Sequence, residues 1–303
     1  MGGKETDNAA LRGFGFAMGA YLLWGVMPLY MKMVSHIPPV EVVAYRILCS
    51  VPVAGILILL LGRTADLKLA FRHPRTLLLA AITAIFISIN WGIYVWAIAN
   101  EQTVETALGY YINPVVNIVL GAVFLKERFN RLQMAAIALV CAALVLLTVT
   151  AGGLPWVSIA LAFSFGMYGF LRKTLPIGPS QGFFLEVLLL SVPSLLVLYF
   201  LDMKGTGHFM AGDARDTGLL LLAGPFTAVP LILYAFGAKL LRFSTLGLMQ
   251  YLTPSLIFLA AIFVFHEPLS MWQLAAFCLI WIALALYTWS SLRESRIEAR
   301  PLL

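Results

Sequence analysis

Forty consecutive residues, 132–171, carry no charged side chain. As one helix they would run about 60 Å, roughly twice the hydrocarbon thickness of a bilayer. The stretch must fold back on itself, and Gly152-Gly153-Leu154-Pro155 near its centre is a turn signal. The rest of the chain repeats this on a shorter scale. Charges bound apolar runs between Arg12 and Lys32, Arg46 and Arg63, Arg75 and Glu101, Glu105 and Lys126, Asp216 and Lys239, Arg242 and Glu267, and Glu267 and Arg293. Another run follows Pro179 and ends at Asp202. The pattern predicts an all-α membrane protein with ten transmembrane helices over 13–33, 39–62, 76–98, 103–125, 132–150, 155–172, 180–201, 217–239, 243–265 and 269–291.

Composition excludes the competing classes. Hydrophobic types make up 61% of the 303 residues and charged types 11%, against about half and a quarter in soluble domains. That leaves too little polar surface for a soluble enzyme, a nucleic-acid binder or a disordered chain. The net charge of +6 is a topology signal. With the N-terminus inside, the inner segments hold Lys4, Arg12, Arg63, Lys68, Arg72, Arg75, Lys126, Arg128, Arg131, Arg172, Lys173, Lys239, Arg242, Arg293, Arg296 and Arg300, sixteen of the 20 basic residues. The outer loops hold Lys32, Lys204 and Arg215. Basic residues concentrate on the cytoplasmic side, so both termini are expected there. The first apolar run reads as a spanning helix rather than a removable signal. Cys49, Cys141 and Cys278 sit inside apolar runs, far from one another and from any histidine. They read as buried small hydrophobes, with no disulfide framework and no metal spacing. No cofactor is expected.

The two halves align at an offset of 140 or 141 residues. Ser50-Val51-Pro52 matches Ser191-Val192-Pro193, Tyr94 matches Tyr234, and Leu108, Tyr111 and Pro114 match Leu248, Tyr251 and Pro254. Glu127 and Gln133 match Glu267 and Gln273, and Gly25 and Lys32 match Gly166 and Lys173. Five spans per unit is an odd number, so the second copy enters from the opposite side. The reading is two five-helix repeats, 10–150 and 151–292, inverted in topology. That architecture belongs to secondary transporters, with the substrate site between the repeats.

Polar groups inside spans face the bundle interior or a wet cavity. Thr106, Tyr110, Asn113 and Asn117 share one face of the fourth span, and Thr83, Asn90 and Tyr94, with Trp91 beside them, share one of the third. Thr227 and Tyr234, then Gln250 and Thr253, hold corresponding registers in the second half. The first and sixth spans add Trp24, Tyr30, Ser164 and Tyr168, and Tyr251 adds a further aromatic. These faces line a central substrate cavity, or else bond helix to helix with no ligand. Pro114 and Pro254 occupy equivalent positions and are kink candidates. They free the carbonyls of Tyr110 and Gln250.

Three charges lie within spans. Arg46 binds a substrate carboxylate, or pairs with Glu41 or Glu105. Glu186 is a candidate proton-coupling residue, or is held by Lys173 or backbone donors. Glu105 lies near the outer end of its span. Glu127 and Glu267 sit at span ends, where capping or gating is expected. The fifth and tenth spans are rich in small residues, such as Ala135, Ala136, Ala138, Ala142 and Ala143, which suits close helix packing or a homodimer contact through those helices.

Several stretches resemble one family. They are Trp24-Gly25 with Pro28, Arg46, Asn90-Trp91, Leu108-Gly109-Tyr110-Tyr111-Ile112-Asn113-Pro114 and Leu161-Ala162-Phe163-Ser164-Phe165. Tyr168-Gly169 with Arg172-Lys173, Leu241-Arg242-Phe243-Ser244-Thr245-Leu246-Gly247, Gln250-Tyr251 and the segment from Phe277 to Ala283 complete them. From about residue 10 to 290 the chain resembles the EamA-type branch of the drug/metabolite transporter superfamily, and within it the bacterial RarD proteins. The resemblance implies a ten-helix inner-membrane carrier of two inverted five-helix repeats, in a family that exports amino acids, metabolites or drugs. It supplies no catalytic motif.

The functional expectation is a secondary transporter, an exporter of small amphipathic or aromatic metabolites, amino acids or drugs, working by alternating access in a lipid bilayer. Trp24, Trp91, Tyr94, Tyr110, Tyr168 and Tyr251 suit flat or cationic ligands, and Arg46 with Glu186 suits a zwitterion. An intramembrane enzyme would need a nucleophile with its base or a metal cluster. His36, His73, His208 and His266 all lie in or near loops and form no such set. A membrane sensor or scaffold without transport is the alternative.

Overall fold

The computed structural model describes residues 2–100, 103–150, 152, 156–211, 213–263 and 271–298. Every regular element among them is helical. In chain order they are α1 (Gly2–Met33), α2 (Pro39–Leu48), α3 (Ser50–Leu60), α4 (Thr64–Arg72), α5 (Pro74–Ala99), α6 (Thr103–Phe124) and α7 (Arg131–Thr150). The second half has α8 (Trp156–Thr174), α9 (Pro179–Met203), α10 (Ala214–Leu240), α11 (Phe243–Met249), α12 (Leu252–Phe263) and α13 (Met271–Glu298). Glu267 and the side chain of Glu105 lie outside the described residues.

Six stretches are long and apolar enough to cross a membrane: Ala9–Met33, Pro39–Leu60, Pro74–Ala97, Arg131–Thr150, Pro179–Met203 and Ala214–Leu240. Gly109–Phe124 and Leu274–Ser290 are shorter apolar stretches. The other expected spans depart from that measure for local reasons. α8 ends in Arg172 and Lys173 and buries Ser158, Ser164 and Tyr168 against its neighbours. The ninth is interrupted at Gln250 and Tyr251, which separate α11 from α12.

The second expected span also carries a break. Pro52 removes the donor that would reach the Leu48 carbonyl, and Cys49 separates α2 from α3. The Ser50 hydroxyl spans the break, donating to the Arg46 carbonyl at 2.5 Å and lying 3.2 Å from the Gly224 carbonyl of α10. α4 falls where the sequence reading placed only a loop. Leu67 and Ala70 turn inward beside Leu77, Ile177 and Leu185, and Asp66 bonds Arg63 and Gln181.

α1 packs on α10 and α12, α8 on α5 and α6, α6 on α11, α9 on α2, α3 and α5, and α10 on α2 and α3. α7 and α13 pack on each other. Some of their small residues meet inside the chain, with Ala136, Ala143, Ala276 and Ala283 buried in one cluster with Tyr251 and Tyr287, while Ala135, Ala138 and Ala142 face outward. Cys141 and Cys278 face outward and are exposed, and Cys49 is half-buried, so the expectation of three buried thiols is corrected. In a bilayer an outward apolar face meets lipid, so a thiol there needs no burial in protein.

Side-chain contacts sort the connections to two ends of the bundle. At one end Glu41 of α2 accepts from the His208 backbone N–H and pairs with its Nδ1, at 2.7 and 2.9 Å. His36 there meets Asp216 at 2.8 Å. At the other end Glu127 accepts from the backbone N–H groups of Phe243 and Ser244, at 2.6 and 3.0 Å. This carboxylate caps the start of α11, in keeping with its expected role at a span end. Two lysines cross-cap helix C-termini at the same end. Lys173 donates to the Ala238 and Leu241 carbonyls, and Lys239 donates to those of Lys173 and Leu175. Each cation sits where exposed carbonyls leave negative charge.

Candidate functional site

A cavity of about 300 Å³ lies between the halves of the chain. Its walls are Trp24, Met27 and Met31 of α1, Arg46 of α2, Trp91 and Tyr94 of α5, and Tyr110 of α6. From the second half come Phe165 of α8, Leu231 of α10, Gln250 at the α11–α12 break, and Thr253 and Pro254 of α12. Most of this wall belongs to the end of the bundle where α1 finishes and α2 begins.

Arg46 is its only charged lining residue among those described. The Nε–H donates to the Thr227 hydroxyl at 2.8 Å, and the guanidinium carbon stands 5.3 Å from the centroid of the Trp91 ring. Gly224, one turn before Thr227, makes this possible. A methyl group there would lie 2.3 Å from the Cys49 carbonyl oxygen, so only glycine lets α10 come this close to the α2–α3 break. Glu41, one of the partners weighed for Arg46, is instead held by His208.

Aromatic rings frame the rest. Trp24 meets Phe165 at 5.9 Å, Tyr234 at 5.6 Å and Tyr21 at 5.8 Å between centroids. Tyr94 and Tyr110 meet edge-on at 6.1 Å. The polar lining groups are anchored from behind. Gln250 Oε1 accepts from Asn117 at 3.1 Å, and the Thr253 hydroxyl donates to the Tyr21 carbonyl at 3.1 Å.

Other residues read as cavity-lining lie beside it, in helix–helix contacts. Asn90 donates to the Leu161 carbonyl and the Ser164 hydroxyl, and Asn113 donates to the Ala162 carbonyl, at 2.8–3.0 Å. Tyr30 donates to the Leu219 carbonyl and stacks on Phe226. Tyr251 donates to the Tyr111 carbonyl, on the side of α7 and α13. The cause is close packing of α6. A methyl group at Gly109 would sit 3.1 Å from the Ser158 carbonyl, and one at Gly247 would sit 3.0 Å from the Pro114 carbonyl. The face of α6 bearing Thr106, Asn113 and Asn117 is therefore pressed against α8 and α11, and among the described residues of α6 only Tyr110 reaches the cavity. The helix runs through Pro114 unbroken, whereas the chain is interrupted just before Pro254. There the freed Gln250 carbonyl accepts from the Thr253 N–H at 3.1 Å.

Glu186 sits away from the cavity wall. Its carboxylate takes Arg172 Nη1 at 3.3 Å and the Tyr168 hydroxyl at 3.2 Å. Arg172 and Glu186 are each 2% exposed, and Arg172 Nη2 donates to the Pro179 carbonyl at 2.5 Å. The guanidinium fits because Gly182 has no side chain, since a methyl group there would lie 2.0 Å from Nη1. Tyr234 is fully buried beside the group, with its hydroxyl unpartnered, as is Arg172 Nε. The partner of Glu186 is thus Arg172, not Lys173.

The model of the EamA-like transporter family matches residues 11–149. Protein RarD of Streptomyces exfoliatus is 37% identical over 96% of this chain and 93% of its own length. The chain belongs to the EamA-like transporter family. A RarD protein of Escherichia coli K12 is 35% identical over 98% of this chain and 99% of its own, and an uncharacterized transporter of Pseudomonas aeruginosa is 38% identical over 96% and 97%. A crystal structure at 21% identity superimposes with a TM-score of 0.70 over 94% of this chain and 97% of the other, which shows a shared fold. This EamA-type, RarD-like chain is a multi-pass membrane transporter.

In this transporter the sequence reading missed Met27, Met31, Phe165 and Leu231 on the cavity wall, and Arg172 as a buried charge. Two of them stand at the 140–141 offset from aromatic wall residues, Phe165 from Trp24 and Leu231 from Trp91.

Proposed function

We propose that the chain is a ten-helix secondary transporter that moves small amphipathic or aromatic metabolites, amino acids or drugs out of a bacterial cell by alternating access. In this reading 10–150 and 151–292 are inverted repeats in the inner membrane, with both termini cytoplasmic. The helix pairing supports the repeat. Taking α2–α3 and α11–α12 as one span each and exchanging every span for the one five later turns most span contacts into another or into themselves, the exception being α8–α10, whose counterpart α1–α5 is not closely packed. The α1–α10 contact becomes α8–α5, α6–α8 becomes the contact of α11–α12 with α1, and α7–α13 maps onto itself. The basic ends of α8 and α10 and the start of α11 gather with Glu127 at one end, which supports the orientation.

One observation carries the mechanism. Met27, Met31, Arg46 and Tyr94 line the cavity, and their counterparts at the 140–141 offset are Tyr168, Arg172, Glu186 and Tyr234. Those four are buried side by side at the opposite half of the bundle. A cavity open on one side, with its mirror packed shut on the other, is what alternating access between inverted repeats requires. We assign Glu186 to proton coupling. Protonation removes the charge that holds Arg172 and so releases the packed half.

Flux in proteoliposomes tests the reading. Glu186→Gln is expected to transport without following an imposed pH gradient, while the parent follows it. Unchanged coupling in the variant would remove Glu186 from that role. Absence of flux in both directions for a panel of amino acids, aromatic metabolites and antibiotics would favour the sensor or scaffold reading. A homodimer through these helices would use the outward surfaces of α7 and α13, where Ala135, Ala138 and Ala142 are exposed.

A further inference from the structure

We infer that the cargo of this site is a single-ring organic carboxylate without a positively charged group, an inference that rests on the transporter reading above. Arg46 places a permanent positive charge in the cavity wall. Its Nε is committed to Thr227 and its face to Trp91, which orients the guanidinium while leaving its Nη donors. Among the described residues no carboxylate forms an ion pair with it. Glu41 is taken by His208, Asp216 by His36 and Glu186 by Arg172.

A charge with no ion-pair partner among the described residues of a membrane interior is costly, and such residues mark substrate paths. The planar fork of guanidinium donors matches a carboxylate in a bidentate pair. Trp24, Tyr94 and Tyr110 supply ring faces and edges for a flat apolar body. A cavity of about 300 Å³ is at the lower end for small-molecule sites, which suits one ring rather than a fused system. An ammonium group finds no acidic partner among the described wall residues and meets repulsion from Arg46, strengthened by the low dielectric. The zwitterion expectation needed Glu186 at the cavity, and Glu186 is in the packed half instead.

The test uses the full-length protein, with 3-phenylpropionate, its neutral amide 3-phenylpropionamide, the amine 3-phenylpropylamine and the zwitterion phenylalanine. Binding is read by quenching of tryptophan fluorescence, since Trp24 and Trp91 line the cavity. Transport is read by counterflow in proteoliposomes against protein-free liposomes. The acid is expected to bind at least about tenfold tighter than the other three, as loss of a charge-assisted hydrogen bond implies. Arg46→Met is expected to abolish that preference while eluting as the parent does. Equal binding of amide, amine or zwitterion, or an unchanged acid preference in Arg46→Met, overturns the inference. The parent comparison alone decides the matter if the variant fails to fold. Flux without preference for the acid leaves the transporter reading standing and overturns this one. Acid-selective binding without flux supports the cargo class and overturns transport. No binding and no flux with any of the four overturns the cargo class.

Discussion

Arg172→Met is expected to lower stability by about 3–5 kcal/mol, the usual cost of breaking a buried ion pair by removing one partner. The substitution keeps an unbranched apolar stem and deletes the donors that reach Glu186 and the Pro179 carbonyl. The Glu186 carboxylate would then keep only hydroxyl partners, those of Tyr168 and Thr83, and no countercharge in the described contacts. Replacing both residues, as Arg172→Met with Glu186→Leu, is expected to restore most of the loss. Apolar substitutes for a buried pair are often neutral or stabilising. Denaturant unfolding in mixed micelles, analysed as a double-mutant cycle, separates the two results. A double variant as unstable as Arg172→Met would mean that the arginine acts through packing rather than charge.

Gly224→Ala is the second large effect, and here the sign is informative. Alanine is favoured over glycine within a helix by about 1 kcal/mol. At position 224 the new methyl group would meet backbone of the α2–α3 break, 2.3 Å from the Cys49 oxygen and 2.4 Å from its carbonyl carbon. Backbone cannot rotate away as a side-chain tip can. Overpacking of this kind costs about 1–3 kcal/mol. Separating α10 from α2 also draws Thr227 away from Arg46, so cargo affinity should fall with stability. Gly218 in the same helix has open space around it, so Gly218→Ala serves as the control and should be neutral or stabilising. If the two variants melt alike, the close approach of α10 at Gly224 is not needed.

The spacing of charges made most of the helices legible, because bilayer thickness leaves few ways to divide 303 residues with so few charges. It could not show that α2–α3 and α11–α12 are broken. The first combines the donor missing at Pro52 with the Ser50 hydroxyl on the Arg46 and Gly224 carbonyls, and the second lies where Gln250 meets Asn117. Within the site, Trp24, Arg46, Trp91, Tyr94, Tyr110, Gln250 and Thr253 were readable because polar and aromatic side chains stand out in an apolar helix. Met27, Met31 and Leu231 were not, since an apolar cavity wall has the composition of a core. Asn90, Asn113 and Ser164 show the other limit. Helical spacing says which residues share a face, and only the glycines of neighbouring helices decide whether that face meets a helix or a void. Arg172 was hidden by position, because next to Lys173 at a helix end it reads as one more loop cation.

The lysine cross-caps have an implication of their own. At the 140–141 offset Lys173 answers to Lys32, but Lys239 answers to Ala99. Arg46 likewise answers to a residue of opposite sign, Glu186. In the transport cycle proposed above, two halves that differ in their fastenings would close with unequal free energy. The empty carrier of that cycle would rest in the facing that keeps the lysines, Arg172 and Glu186 engaged. Such a preference sets which facing waits for cargo, while the gradients across the membrane set the direction of net flux.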